Sequence, residues 1–190
     1  MDAVADLGPA VAMTAEGLAE RFDGLLREHG PALRRVASGY EADPARREDL
    51  FQDICLAVWQ ALPRFRGESS ERTFLFRIAH NRGLTHRTRR FRRAPAPTAD
   101  LAEAEEVADP GASPETAARD GERRARLREA VRRLPLEPRQ VLTLTLEGLT
   151  PREISEVVGI TENNVAVRLS RARKLLRDGL TGDGEAGGAA

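Results

Sequence analysis

The chain has 190 residues, 41% hydrophobic but only 4% aromatic, so its cores must rest on Leu, Val, Ile and Ala, a composition that favours helices over sheets. The single cysteine, Cys55, excludes an internal disulfide and a Cys-cluster zinc site. No apolar run approaches the roughly 18–20 residues of a membrane span, and the N-terminus lacks the layout of a secretory signal, so a soluble cytoplasmic protein is expected. Net charge is zero, but residues 1–30 carry six acids and two Arg, residues 64–93 ten Arg and two Glu, residues 98–120 seven acids and one Arg, and residues 121–178 thirteen bases and eight acids. Two basic blocks around an acidic spacer suggest two surfaces for a polyanion. Lys174 is the only lysine; codon bias explains Arg over Lys but not the clustering.

Residues 1–15 lack periodicity and read as a loose tail. A helix is predicted from about Glu16 to Gly39, with Phe22, Leu25, Leu26, Leu33 and Val36 inward and Gly30-Pro31 a candidate kink or break. A second runs from about Pro44 to Leu62, stopped by Pro63. Residues 63–70 are a loop ending in Ser69 or Ser70 as N-cap for a third helix over about 71–91. Residues 94–118, with four prolines and most of the spacer's acids, read as a linker. Helices resume at about 119–133, 136–147, 150–158 and 161–178, and residues 179–190 are expected to be a disordered tail. The fold class is all-α: two small helical domains, 16–93 and 119–178, joined by a flexible acidic linker.

The clearest local pattern lies at 150–178. Thr150-Pro151-Arg152-Glu153 is a capping box with Pro at the first helical position. Gly159 is placed to end that short helix, Thr161 to cap the next, and Ile160 and Val165 have the spacing of a hydrophobic staple. Two helices joined by a short turn around a glycine make a helix-turn-helix. On the second helix Val165, Leu169, Ala172, Leu175 and Leu176 share one side. The other side presents Asn163, Val167, Ser170 and Lys174, flanked by Ala166, Arg168, Arg171 and Arg173, a plausible surface for reading the duplex major groove. An exposed Val167 suits a thymine methyl. A charged solvent face of a small bundle is the plainer alternative.

In the first basic block Phe65, Phe74, Phe76 and Phe91 are interleaved with arginines, including Arg66 and Arg77, so rings could stack unpaired bases while guanidiniums hold the backbone. Burial of Phe74, Leu75 and Ile78 would leave Phe65 as the better base contact, and Asn81, one turn beyond Arg77, offers a donor and an acceptor to a base edge. His80 and His86 lack the partners of a metal site, and no cofactor pattern appears. On the second helix Leu50, Ile54, Ala57, Val58 and Ala61 form a core face. Opposite lie Asp49, Gln52, Asp53 and Gln60 with Leu56 among them, either an interface anchor or an ordinary exposed leucine.

Asp49-Leu-Phe-Gln-Asp53, Val58-Trp59, Arg64-Phe-Arg-Gly-Glu-Ser69 and Thr73-Phe-Leu-Phe-Arg-Ile-Ala-His-Asn81 resemble region 2 of the sigma-70 family. Leu134-Pro135 through Gln140-Val141, Gly148-Leu-Thr-Pro-Arg-Glu-Ile154 and Val165 to Leu176 resemble region 4. Two regions with a short linker look like the extracytoplasmic-function (ECF) group. The resemblance implies a sigma factor without catalysis of its own, whose partners are core RNA polymerase, promoter DNA and an anti-sigma factor. It implies that Asp49, Gln52, Asp53 and Leu56 grip polymerase. It places Phe65, Arg66, Arg77 and Asn81 at a flipped base of the melted −10 element, and the 161–178 helix at the −35 duplex. Phe74 stands where many relatives have Trp, and Ala166-Val167 where many have Lys or Arg followed by Ser. The alternative function is a helix-turn-helix regulator that binds DNA without polymerase.

Overall fold

The computed structural model describes residues 14–93, 127 and 129–185, with the backbone alone for 91–93 and 180–185. Among these residues there are helices and turns and no strand. Helix α1 spans Ala15–Ser38, capped by Thr14, whose side chain accepts from the Gly17 N–H. It continues through Pro31 rather than breaking there. Exposure of Pro31 and burial of Leu33, Val36 and Ala37 just beyond it explain this, since the second half of the helix is held by packing. Helix α2, Pro44–Ala61, starts at the Asp43 cap and passes into a 3-10 turn, Leu62–Arg64, which contains Pro63. Of the two serines considered as caps, Ser70 receives the Thr73 N–H at 3.0 Å, and helix α3 spans Glu71–Arg93.

The linker at 94–118 lies outside the described residues, as do the tail at 1–13 and most of the helix expected to begin near 119. Residues 129–133 are helical, followed by α4 (Leu136–Leu146), α5 (Pro151–Val158) and α6 (Glu162–Glu185). Helix α6 therefore extends past 178 into the segment expected to be disordered. Its glycines weaken the helix but keep their N–H groups, and no proline interrupts the ladder.

The larger apolar core is continuous through both halves. It joins Leu25, Leu33, Val36, Leu50, Ile54, Val58, Leu75, Phe76 and Ala79 from the first half with Val141, Leu144, Leu149, Ile154, Val157 and Val165 from the second. Helix α3 packs on α1 and α2 and also on α5, and α1 touches α4. A smaller core of Leu134, Leu142 and Ala172, backed by Val131, Leu169 and Leu176, belongs to the second half alone.

Polar groups tie the loop after α1 to α3. The Glu41 carboxylate has no solvent exposure and is held by His86 Nε2 and Arg90 Nη1, each at 3.0 Å. Tyr40 OH meets His80 Nδ1 at 2.6 Å, while its ring lies flat against Gly83. A Cβ built at Gly83 would stand 2.5 Å from that ring. Burial pushes His80 down to about 4.

Two outcomes follow from this packing. Gly to Ala in a helix ordinarily stabilises by about 1 kcal/mol. Gly24→Ala, with nothing near the new methyl, should do so. Gly83→Ala should instead destabilise by about 1–3 kcal/mol, because the ring it strikes is pinned through its hydroxyl; urea unfolding of both variants tests the opposite signs. For His80, the folded-state value lies below the ordinary 6.5, so the unfolded chain takes up a proton first as pH falls. The folded state should therefore lose about 2 kcal/mol between pH 7 and pH 5 through this group. Denaturation curves of His80→Gln should lack that part of the slope.

Candidate functional site

Three exposed faces carry the residues singled out in the sequence. The first is on α2. Leu50, Phe51, Ile54, Ala57 and Val58 are buried, which turns Asp49, Gln52, Asp53, Leu56 and Gln60 outward. Leu56 is 55% exposed, so more than half of this leucine is left uncovered by the described residues. Trp59, which the sequence reading of this face left out, is also exposed and sits one turn beyond Leu56. It packs edge-on against Phe22 of α1, ring centroids 5.2 Å apart. Its spacing of three from Leu56 was the available signal. The face is thus an apolar ridge of Leu56 and Trp59 bordered by carboxylates and amides.

The second face combines the 65–70 loop with α3. Phe65 is half-buried, its ring tilted 41° against Phe74 with centroids 4.6 Å apart, and the Arg21 guanidinium lies 5.5 Å from its ring. Arg66 and Gly67 are exposed, and Gly67 takes a positive φ of 74° that lets the loop turn back onto α3. Arg77 and Asn81 lie on the outer side of α3, both exposed, one turn apart. Of the four residues singled out here, Arg66, Arg77 and Asn81 are exposed, while Phe65 shows less than a whole ring. Phe76, one of the interleaved aromatics, is not available to a base at all: it is fully buried. Helix α3 is covered on two sides, and Phe76 belongs to the core shared with the second half. His80 and His86 are already engaged by Tyr40 and Glu41.

The third face is the helix-turn-helix. Thr150 and Glu153 form the reciprocal capping box, and this holds the Glu153 carboxyl below the usual range through hydrogen bonds from the Thr150 backbone. Gly159 ends α5 in the left-handed conformation, φ 74°, and Thr161 caps α6 by accepting from the Asn164 N–H at 3.3 Å. Val165 and Ala172 are buried, which fixes the rotation of α6. Asn163, Val167, Ser170, Arg171 and Lys174 are exposed together on its far side. Arg168 stands apart from them: it is half-buried on the flank toward α4, with its guanidinium 3.5 Å from the Glu137 carboxylate. Leu175, placed on the core side, is at its edge and partly exposed.

Comparison with known proteins agrees with this geometry. Residues 25–93 match the sigma-70 region 2 family and residues 124–176 the sigma-70 region 4 family. The chain is 32% identical to the RNA polymerase sigma factor CnrH of Cupriavidus metallidurans, covering 92% of this chain and 94% of that one. It is 32% identical to the ECF RNA polymerase sigma factor SigM of Mycobacterium tuberculosis, covering 82% and 74%. Among solved structures it is similar to CnrH in complex with the cytosolic domain of CnrY, with TM-score 0.63, 27% identity and coverage of 92% and 96%. The Bartonella quintana sigma factor RpoE, solved with the anti-sigma factor NepR, shares the fold at TM-score 0.69 and 22% identity, covering 85% of this chain and 98% of that one. The chain belongs to the sigma-70 family, as a sigma factor of the extracytoplasmic-function group that directs transcription initiation.

Proposed function

We propose that the three exposed faces divide the work of initiation. The α2 face, with Asp49, Gln52, Asp53 and Leu56 and extended by Trp59, binds core RNA polymerase. The loop with Phe65 and Arg66, together with Arg77 and Asn81, holds a flipped base of the melted −10 strand. The outer side of α6, with Asn163, Val167, Ser170, Arg171 and Lys174, reads the −35 duplex, while Arg168 sits at its flank. The polymerase performs the chemistry, and the protein acts where the polymerase is, in the cytoplasm. The observation that carries this reading is that the polar and apolar residues of each face are outward while their helix neighbours are buried. An uncovered Leu56 amid carboxylates and amides suits a partner that offers an apolar socket rimmed by positive charge. The solved relatives, one with the anti-sigma factor NepR and one with the cytosolic domain of CnrY, support a protein inhibitor as a further partner.

The grip on polymerase is tested by Asp53→Arg. Core affinity should fall about tenfold or more, with helical circular dichroism unchanged because the position is exposed. Unchanged affinity removes α2 from the interface. The two DNA faces are tested by Asn81→Ala and Arg171→Ala in holoenzyme on duplex and pre-melted templates. Loss of a base-edge contact costs about 1–3 kcal/mol. Asn81→Ala should relax discrimination at one −10 base on both templates and impair opening of the duplex. Arg171→Ala should weaken closed-duplex binding and be largely bypassed by a pre-melted bubble. Equal loss of the same step by both variants contradicts the division.

A further inference from the structure

Residues 1–30 carry six acids and only two arginines, and the fold treats the two arginines differently. Arg27 is exposed, whereas Arg21 is partly buried, its side chain 33% exposed. Leu18 and Leu25 stand three residues before and four residues after Arg21, and both pack into the core, so Arg21 shares their row on the inner flank of α1. Phe22, beside it, is fixed by the Trp59 ring. Apolar packing therefore sets the rotation of α1, and that rotation carries the Arg21 guanidinium across to the start of α3 and the loop before it.

There the guanidinium has two neighbours. Its Nε donates to Glu71 Oε1 at 3.0 Å, and Nη2 donates to the same oxygen. Its Cζ lies 5.5 Å from the centroid of the Phe65 ring, within the range of a cation–π contact. Glu71 belongs to the first turn of α3, and the Ser70 cap, which accepts from the Thr73 N–H at 3.0 Å, fixes that helix start. The Phe65 N–H donates to the Leu62 carbonyl at 3.1 Å, and the Phe65 ring leans on Phe74. A loop phenylalanine is thus held from three elements: the 3-10 turn, α3 and, through Arg21, α1. A ring resting on Phe74 alone would keep more freedom, and ordering it against a base would cost both affinity and selectivity. Arg21 and Glu71 are both open to water, so their ion pair adds little to the stability of the fold. Its effect is on orientation.

Resting on the role proposed above for Phe65 at a flipped base, the geometry points to Arg21 as a positioning residue for −10 recognition: anchored by Glu71, it sets the orientation of the Phe65 ring and thereby sharpens the choice of base. It acts through Phe65, and neither the α2 face nor the outer side of α6 involves it.

The test uses holoenzyme on a pre-melted template carrying the −10 element that this holoenzyme selects, and on the same template with each −10 base replaced in turn. The readout is the ratio of affinities for the original and replaced base. Arg21→Ala should lower that ratio about two- to fivefold at the position where Phe65→Ala also lowers it, the size expected of a partly exposed cation–π contact. Affinity for core polymerase and binding to the −35 duplex should stay unchanged. In the Phe65→Ala background, Arg21→Ala should have no further effect, a coupling that a merely structural role would not produce. Circular dichroism reports whether each variant folds; Glu71→Gln, at a more exposed position, frees Arg21 without removing it and should shift the ratio in the same direction. Full discrimination by folded Arg21→Ala or by Glu71→Gln overturns the inference, as does a loss that adds in full to that of Phe65→Ala. Unchanged discrimination in Phe65→Ala instead overturns the role of the loop on which the inference rests, so the two failures are distinguishable.

Discussion

The constraint on which the structure depends is that α3 is covered on both sides. Its inner side closes the three-helix core of the first half through Leu75 and Ala79, and its first turns also meet α5. Each half alone is small. Chains below about 70–80 residues rarely draw more than a few kcal/mol from a single core. Joining the halves makes one apolar interior from Leu25 to Val165 and explains why Phe76, in a helix crowded with arginines, is completely out of water. Among the described residues, the second half has a small core of its own, Leu134, Leu142 and Ala172. The shared interior therefore lends the second half stability that its own small core does not supply.

The polar contacts at the seam add direction rather than raw strength. The Glu147 carboxylate is nearly buried and gains two charge-assisted bonds, while its partner Arg35 stays 60% exposed, so only the acid loses most of its hydration. Removing Arg35 would leave the nearly buried Glu147 charge unpaired, whereas removing Glu147 would leave an arginine that water already reaches. Glu147 therefore behaves as a registering element. The apolar surfaces favour contact, and the bidentate Arg35 grip with the Arg72 bond to the carbonyl selects one contact among many. Elsewhere ion pairs such as Arg152 with Glu156 are exposed and of minor weight.

Features set by short-range chemistry were legible in the sequence. The Thr150–Glu153 box, the Gly159 stop, the Ser70 start of α3 and the outward rotation of α6 all follow from side chains within four residues of one another. The exposed stripe on α2 was equally readable, because Leu50, Ile54, Ala57 and Val58 define its reverse. Contacts between distant segments were not. Periodicity tells which side of a helix is apolar, but it does not name the neighbour, and α3 has apolar residues around more of its circumference than one neighbour requires. Phe76 was for that reason grouped with base-stacking candidates, and the bond from Arg35 to a glutamate 112 residues away had no sequence signal at all. Phe65 falls between: its loop position is plain, but its tilted ring contact with Phe74 depends on how the loop folds back at Gly67.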